Sequence, residues 1–344
     1  MTGPMTGAAT TGPDTELARV ELALRPRWPE TRLDPTLDRI AALMSVLGDP
    51  QRAYPVIQIT GTNGKTTTAR MIDELLRGFG LRVGRFTSPH LSSVTERINL
   101  DGTPISASRL AAVYDEIAPY LDLVDGRQPI ALSYFEVLTA MGYVAFADAP
   151  VDVAVVEVGM GGLWDSTSVA DAQVAVVTPI ALDHTHYLGE TVDLIATEKA
   201  GIIKPDATAV LALQPPEAMP PLLTRAVEMS ATVALEGMEF GVSERRIAVG
   251  GQLITFTGLG GGYDEVFLPL HGAHQAQNAA VALAAVEAFF GAGAQGRLNL
   301  DTVREAFAAV RSPGRLEAVR SAPTILVDAA HNPAGMQATV AALA

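Results

Sequence analysis

These 344 residues contain no cysteine. That excludes disulfides, thiolate metal sites and cysteine nucleophiles, and it agrees with a cytoplasmic location. Positive charge is also scarce: 24 Lys and Arg stand against 38 Asp and Glu, a net charge of −14. A nucleic-acid surface wants a basic field, so nucleic acid is not an expected partner. An acidic protein that binds an anionic nucleotide needs local compensation, from a metal ion, a lysine or helix ends. No apolar run approaches the roughly 20 residues of a membrane span. The first dozen residues, M-T-G-P-M-T-G-A-A-T-T-G, lack the basic start and apolar centre of a signal peptide. They read as a disordered tail, taken to end at residue 14. No internal repeat is visible, nor any low-complexity segment beyond that tail.

What is there is globular: 48% of residues are apolar and 18% charged, in a chain long enough for about two domains. The most informative stretch is Val56 to Thr68, V-I-Q-I-T-G-T-N-G-K-T-T-T. Val56, Ile57 and Ile59 predict a buried strand, and Met71, Ile72, Leu75 and Leu76 a helix. Between them lie Gly61, Gly64, Lys65 and Thr66. Backbone N–H groups of such a loop can wrap a phosphate, assisted by the positive end of the helix. Lys65 can reach the outer phosphates, and the Thr66 hydroxyl can hold magnesium. The strict phosphate-loop pattern wants a further glycine at position 59, where Ile59 stands, so the match is to a shortened variant.

The rest of the chain alternates helix and strand. Residues 14–48 read as helical, closed by Gly48, Asp49 and Pro50. Arg82 to Thr87 predicts a second strand, ending at Ser88-Pro89-His90-Leu91. Ser88 at its carboxyl end is placed either to join a metal shell or simply to make a Ser-Pro turn. Ser106 to Leu121 reads as a helix, and Ser133-Tyr134-Phe135-Glu136 opens another, with Glu136 as a dipole partner. Val151 to Gly159 is an apolar strand tipped by Glu157, the layout of a magnesium-holding acid, with helix capping as the alternative. The Gly-rich loop Gly159 to Thr167 follows, where open α/β sheets bind substrates. Val174 to Ile180 is another buried strand. It ends near His184, a candidate metal ligand, whereas His186 reads as structural. Lys199, near the end of a helix from Val192, reads as a surface lysine or a phosphate contact. Ala207 to Leu213 predicts a sixth strand, and the alternating residues of 231–271 predict short antiparallel strands appended to the parallel sheet. Helices are expected at His274–Phe290 and Asp301–Val310. Arg311 to Arg315 is a linker-like break, and Thr324 to Asp328 a strand with an acidic tip. The fold class is α/β, a mostly parallel sheet with flanking helices and a small antiparallel addition.

Several motifs, in this order, resemble the folylpolyglutamate synthase / dihydrofolate synthase family of Mur-ligase-like enzymes: T-G-T-N-G-K-T-T, T-S-P-H-L then E-R-I, S-Y-F-E-V-L-T, V-E-V-G-M-G-G, the D-H after P-I-A-L, E-K-A-G-I-I-K, P-G-R-L-E and D-A-A-H-N-P. The resemblance implies a Mur-ligase central-domain fold, followed by the start of a second α/β domain. It implies ATP-dependent amide formation: a substrate carboxylate takes the γ-phosphate to become an acyl phosphate, and the amine of L-glutamate displaces phosphate. Dihydropteroate or a reduced folate's glutamate tail is the implied acceptor, and the implied protein is a cytoplasmic monomer. By motif, Thr62, Asn63, Gly64, Lys65 and Thr66 would bind the phosphates of ATP, and Asn278, Arg315 and Asp328 would also contact ATP. Ser88 and Glu157 would hold one magnesium. Glu157, His184 and Lys199 would face a second, with Lys199 often carbamylated in the family. Lys65, Glu157, His184 and Lys199 are thus the implied catalytic set. Ser133, Tyr134, Phe135, Glu136, Trp164, Asp165 and Ser166 match pterin-side contacts.

Two departures stand in the proposed pterin or anion loop. Leu163 occupies the position usually held by Arg after G-M-G-G, and Asp165-Ser166-Thr167-Ser168 replaces the usual D-A-T-N. The expected domains are 15–310, the ATP-binding unit, and 311–344, an incomplete C-terminal ligase domain. Only about thirty residues follow Arg315, fewer than the roughly 50 of the smallest ordinary domain. Ile325, Leu326 and Val327 are therefore expected to lack sheet neighbours. Two alternatives follow: a catalytically impaired ATP-binding remnant, or another Mur-like amide ligase. The second needs a further N-terminal domain, and the roughly 45 ordered residues before Thr60 are too few.

Overall fold

In a computed structural model of the chain, residues 12–30, 32, 34–291 and 296–343 are described. Residues 1–11 of the expected tail lie outside them. Eight strands form the main sheet: β1 (Val56–Thr60), β2 (Val83–Phe86), β3 (Ile98–Leu100), β4 (Thr103–Pro104), β5 (Val153–Glu157), β6 (Val174–Val177), β7 (Thr208–Leu211) and β8 (Thr232–Leu235). Their order is β4-β3-β2-β5-β1-β6-β7-β8. The run from β2 to β8 is parallel, and only β3 and β4 pair antiparallel at one edge. The strand carrying the phosphate loop is therefore central, flanked by the strand tipped with Glu157.

Strand periodicity sorts side chains onto two faces. Ile57, Ile59, Val153, Val155, Val174 and Val176 pack with helices Lys65–Gly78, Ala273–Phe289 and Leu300–Ala309. Val56, Ala154, Val156 and Phe86 face the other way, towards helices Ala107–Asp125 and Tyr134–Asp148. Ala175, Val177, Ala209 and Leu211 on that second face meet helices Val192–Lys199 and Met219–Glu228. Covered on both faces, these strands read as unbroken apolar runs. Each large aliphatic side chain so buried contributes about 1.5–3 kcal/mol.

Five elements differ from the sequence expectation. Residues 14–48 hold two helices, Pro13–Leu24 and Asp38–Val46, because Pro26 and Pro29 interrupt the pattern. Thr232–Leu235 extends the parallel sheet as β8. The antiparallel strands β9 (Gly241–Ala248), β10 (Gly251–Thr257) and β11 (Gly262–Leu268) form a separate three-stranded sheet and are not appended to the main one. Helix Met219–Glu228 has no counterpart in the sequence expectation; Pro220 and Pro221 stand in its first turn, where proline is tolerated. Lastly, β12 (Glu317–Ser321) pairs antiparallel with β13 (Thr324–Val327), so Ile325, Leu326 and Val327 do have a sheet partner. They nevertheless remain 42%, 37% and 44% exposed. Helix Pro333–Leu343 follows β13.

Candidate active site

The loop after β1 is shaped by close approach of neighbouring backbone. Gly61 has φ +140°, and a Cβ there would lie 1.9 Å from Thr178 Oγ1 and 2.8 Å from the Thr178 carbonyl oxygen. Gly64, at φ +92°, would place a Cβ 2.5 Å from Asn278 Oδ1. Asn278 therefore leans over the loop. Thr62 and Asn63 have other partners: both amides donate to the Pro179 carbonyl, and the Thr62 hydroxyl donates to the Ala181 carbonyl. The amides of Lys65, Thr66 and Thr67, in the first helical turn, have no intrahelical acceptor and form the anion-facing end.

Two lysines converge on one oxygen. Lys65 Nζ donates to the Gly61 carbonyl at 3.0 Å and to the Thr62 carbonyl at 3.2 Å, and Lys199 Nζ donates to the same Gly61 carbonyl at 2.8 Å. Desolvation lowers the Lys65 ammonium below the ordinary lysine range, against the pull of Glu157 and Asp183. Lys199 is 4% exposed. Burial first, and then the charge of Lys65, push it down to about 7. Lys199 is thus not the surface lysine its local sequence suggests.

Glu157 is 1% exposed. Its Oε1 accepts the Thr66 hydroxyl at 2.8 Å, and its Oε2 has no hydrogen-bond partner. Burial raises its carboxyl above the usual range, while Lys65 and Thr66 work in the opposite direction. His184 stands in the left-handed region, φ +48°, with Nε2 3.9 Å from Asp183 Oδ1. Desolvation lowers its imidazole, Asp183 raises it, and Lys65 and Lys199 lower it further. Among the described residues no three His, Asp or Glu side chains form a metal cluster.

A cavity of about 380 Å³ opens beside this cluster. Ser88 and His184 line it, with Ser133, Phe135, Glu136, Trp164, Asp165 and Ser166. Six of the seven expected acceptor-side residues therefore share one wall system. Tyr134, the seventh, lies under the Arg97 guanidinium, 5.7 Å from its ring centroid. Several roles are architectural. Ser133 and Glu136 form a reciprocal capping box, and Glu136 also accepts from Arg39 Nε at 3.1 Å. Asp165 accepts the Met160 and Thr167 amides, both at 2.9 Å. Sequence reasoning missed further lining residues, among them Trp28, Glu30, Arg32 and Arg39. Trp28 is flanked by two guanidinium groups, of Arg32 at 5.3 Å and Arg39 at 5.0 Å. The sequence reading runs residues 14–48 together as helix, and a helical pattern gives no sign of a cavity wall.

The C-terminal segment reaches the loop. Asn63 and Asn332 exchange side-chain amide hydrogen bonds at 3.1 Å in both directions, and Asn332 donates to Asp183 Oδ2 at 3.0 Å. Thr67 and Ser312 share a hydroxyl hydrogen bond at 2.9 Å. The Arg315 charge is felt at Lys65 and at Glu157. Asp328 accepts the Leu316 and Ala330 amides and the Thr339 hydroxyl, which fixes the turn after β13.

A central phosphate loop, an acid-tipped neighbouring strand and a substrate-sized cavity define an ATP-dependent ligase of the Mur type, and residues 59–286 match the Mur ligase middle domain. More specifically, the chain belongs to the folylpolyglutamate synthase / dihydrofolate synthase family. It is 57% identical to the dihydrofolate synthase/folylpolyglutamate synthase of Mycobacterium tuberculosis, over 99% of this chain and 73% of that protein. It superposes on the Mycobacterium tuberculosis folylpolyglutamate synthase complexed with ADP and AMPPCP with a TM-score of 0.91 and 55% identity, covering 96% of this chain and 74% of that one. An FPGS–AMPPCP–folate complex is similar at a TM-score of 0.89 and 34% identity, covering 94% and 79%. Among the described residues no helix is long and apolar enough to cross a membrane.

Proposed function

We propose that this chain uses ATP to join L-glutamate to dihydropteroate, to the glutamate tail of a reduced folate, or to both. The carrying observation is the cavity that opens at Ser88 and His184, next to the phosphate loop. An acceptor lying in it presents its carboxylate at the loop end. A carboxylate is a poor electrophile until one oxygen becomes a leaving group. Transfer of the γ-phosphate to that oxygen gives an acyl phosphate. The glutamate amine then attacks the carbonyl carbon, phosphate departs with the electron pair, and the amine loses its proton.

The chain's residues have mainly positioning and electrostatic work. Lys65 and the amides of Lys65 and Thr66 receive the outer phosphates, and Asn278 and Arg315 flank the nucleotide. The buried, unpartnered Oε2 of Glu157 beside the Thr66 hydroxyl fits a hard cation, so Thr66, Ser88 and Glu157 would hold magnesium. When bound, magnesium neutralises phosphate charge. Glu157 and His184 would face a second ion, and Lys199 would join them only if it carried an oxygen ligand. An amine with a pKa of about 7 is substantially neutral at neutral pH and can add carbon dioxide, which supplies that oxygen as a carbamate. We assign residues 15–310 to the ATP-binding unit and 311–344 to the C-terminal ligase domain. The absence of cysteine and the acidic charge support a cytoplasmic protein without a nucleic-acid partner, and we propose a monomer, which sedimentation tests.

The test is phosphate release from ATP with magnesium and glutamate, with each acceptor added or omitted. Release that requires dihydropteroate and yields dihydrofolate supports the synthase reading, and release that requires a reduced folate supports tail extension. Acceptor-independent release, or none, contradicts both.

A further inference from the structure

We infer that Glu198 is a positioning residue that locks the Trp164 wall of the acceptor cavity to the segment carrying Lys199. This inference rests on the acceptor reading of the cavity given above. The Glu198 carboxylate turns back onto the Gly-rich loop: Oε1 accepts the Leu163 amide at 2.9 Å and the Trp164 amide at 3.3 Å. The Leu163 amide also reaches the Glu198 backbone carbonyl at 2.9 Å. One residue thus holds the loop by side chain and main chain together.

Three glycines make this contact sterically possible. A Cβ on Gly161 would lie 2.9 Å from Glu198 Cγ, and one on Gly162 would lie 2.7 Å from the Lys199 carbonyl oxygen. On the facing segment, a Cβ on Gly201 would lie 2.3 Å from the Leu163 Cα. The two segments therefore interlock backbone to backbone. Immediately beyond the interlock stand Trp164, on the cavity wall, and Lys199, whose Nζ reaches the phosphate loop at Gly61. A shift of the loop relative to Glu198 moves the acceptor wall relative to the site amine. Reacting groups tolerate little misplacement, since about 1 Å can cost on the order of 100-fold in rate. Glu198 does not line the cavity, and its carboxylate is spent on loop amides, so its role is to hold other groups in place.

Glu198→Ala and Glu198→Gln test this. Gln keeps a carbonyl oxygen where Oε1 accepts; Ala does not. The chain has two tryptophans, Trp28 and Trp164, and both line the cavity. In a Trp28→Phe background the emission reports Trp164 alone. The expected result for Glu198→Ala is an acceptor KM raised on the order of tenfold or more, ATP KM unchanged and a shifted Trp164 emission, with Glu198→Gln restoring all of them. Unchanged acceptor KM and emission in Glu198→Ala overturn the inference. So does an equal rise in both KM values, which is the mark of general destabilisation, or a failure of Glu198→Gln to restore. The emission needs no turnover, so it still decides the inference if the unsubstituted chain shows no acceptor-dependent phosphate release and the functional reading fails.

Discussion

Lys65 and Lys199, 134 positions apart in the chain, donate to a single acceptor, the Gly61 carbonyl oxygen, at 3.0 and 2.8 Å. Two ammonium groups on one carbonyl repel, and only one can keep its proton cheaply. Burial and Lys65 together drive Lys199 down to about 7. The sign follows. Below about pH 7 the Lys199 amine is protonated and cannot add carbon dioxide. Above it, the neutral amine can. Carbamate on Lys199 should rise with pH and bicarbonate through about 7, well below the ordinary lysine range. NMR with ¹³C-bicarbonate should show a carbamate signal that Lys199→Ala abolishes. A signal that survives this substitution contradicts the assignment.

Lys65→Met removes the charge nearest the phosphate-facing end of the loop. A charge-assisted contact contributes about 1.5–3 kcal/mol, so ATP should bind on the order of 10- to 100-fold more weakly. Calorimetric titration with a non-hydrolysable nucleotide measures this. Unaltered affinity would remove Lys65 from the nucleotide site.

Glu157→Gln keeps the size of the side chain and removes its charge. Activity should fall on the order of 100- to 1,000-fold, and the magnesium concentration for half-activity should rise. A magnesium titration of both forms distinguishes this from misfolding, because Gln still accepts the Thr66 hydroxyl.

Gly61→Ala forces a Cβ to 1.9 Å from Thr178 Oγ1. Overpacking of this kind costs about 1–3 kcal/mol, and the loop must shift to relieve it. Thermal unfolding should drop and nucleotide binding weaken together. Thr178→Ala should not rescue the variant, because the Thr178 carbonyl oxygen is itself only 2.8 Å away.

Much of this site was legible from residue order because parallel strands end on one edge. Lys65, Ser88 and His184 follow strands of the parallel sheet and Glu157 ends one, and the topology gathers such positions automatically. Where the local pattern carried two meanings, the reading went astray. Lys199 has the sequence surroundings of a surface lysine, and only the packing of the helix end against Gly61 buries it. Trp28 and Arg32 lie in the irregular segment between the two N-terminal helices and Arg39 in the first turn of the second, and their place on the cavity depends on long-range contacts such as Trp28 Nε1 donating to the Ala131 carbonyl at 2.7 Å. Glu198 was invisible for a related reason: its partners are backbone amides 34 and 35 residues away.

Asn332→Ala removes the reciprocal amide pair with Asn63 and the hydrogen bond to Asp183. The partners are half-buried, so the loss should be about 1–2 kcal/mol, read by denaturant unfolding. If residues 311–343 dock on the loop through this pair, nucleotide affinity should fall in parallel. A stability loss with unchanged affinity would confine the pair to a structural role.

The most direct test of the proposed chemistry follows an oxygen. Dihydropteroate, or whichever acceptor supports phosphate release, is labelled with ¹⁸O in its reacting carboxylate and turned over with ATP, magnesium and glutamate. If the acceptor carboxylate attacks the γ-phosphate, one labelled oxygen leaves with each phosphate, and mass spectrometry of the phosphate finds it there. Phosphate released in step with product but free of ¹⁸O would contradict an acyl-phosphate route and, with it, the role given to this site.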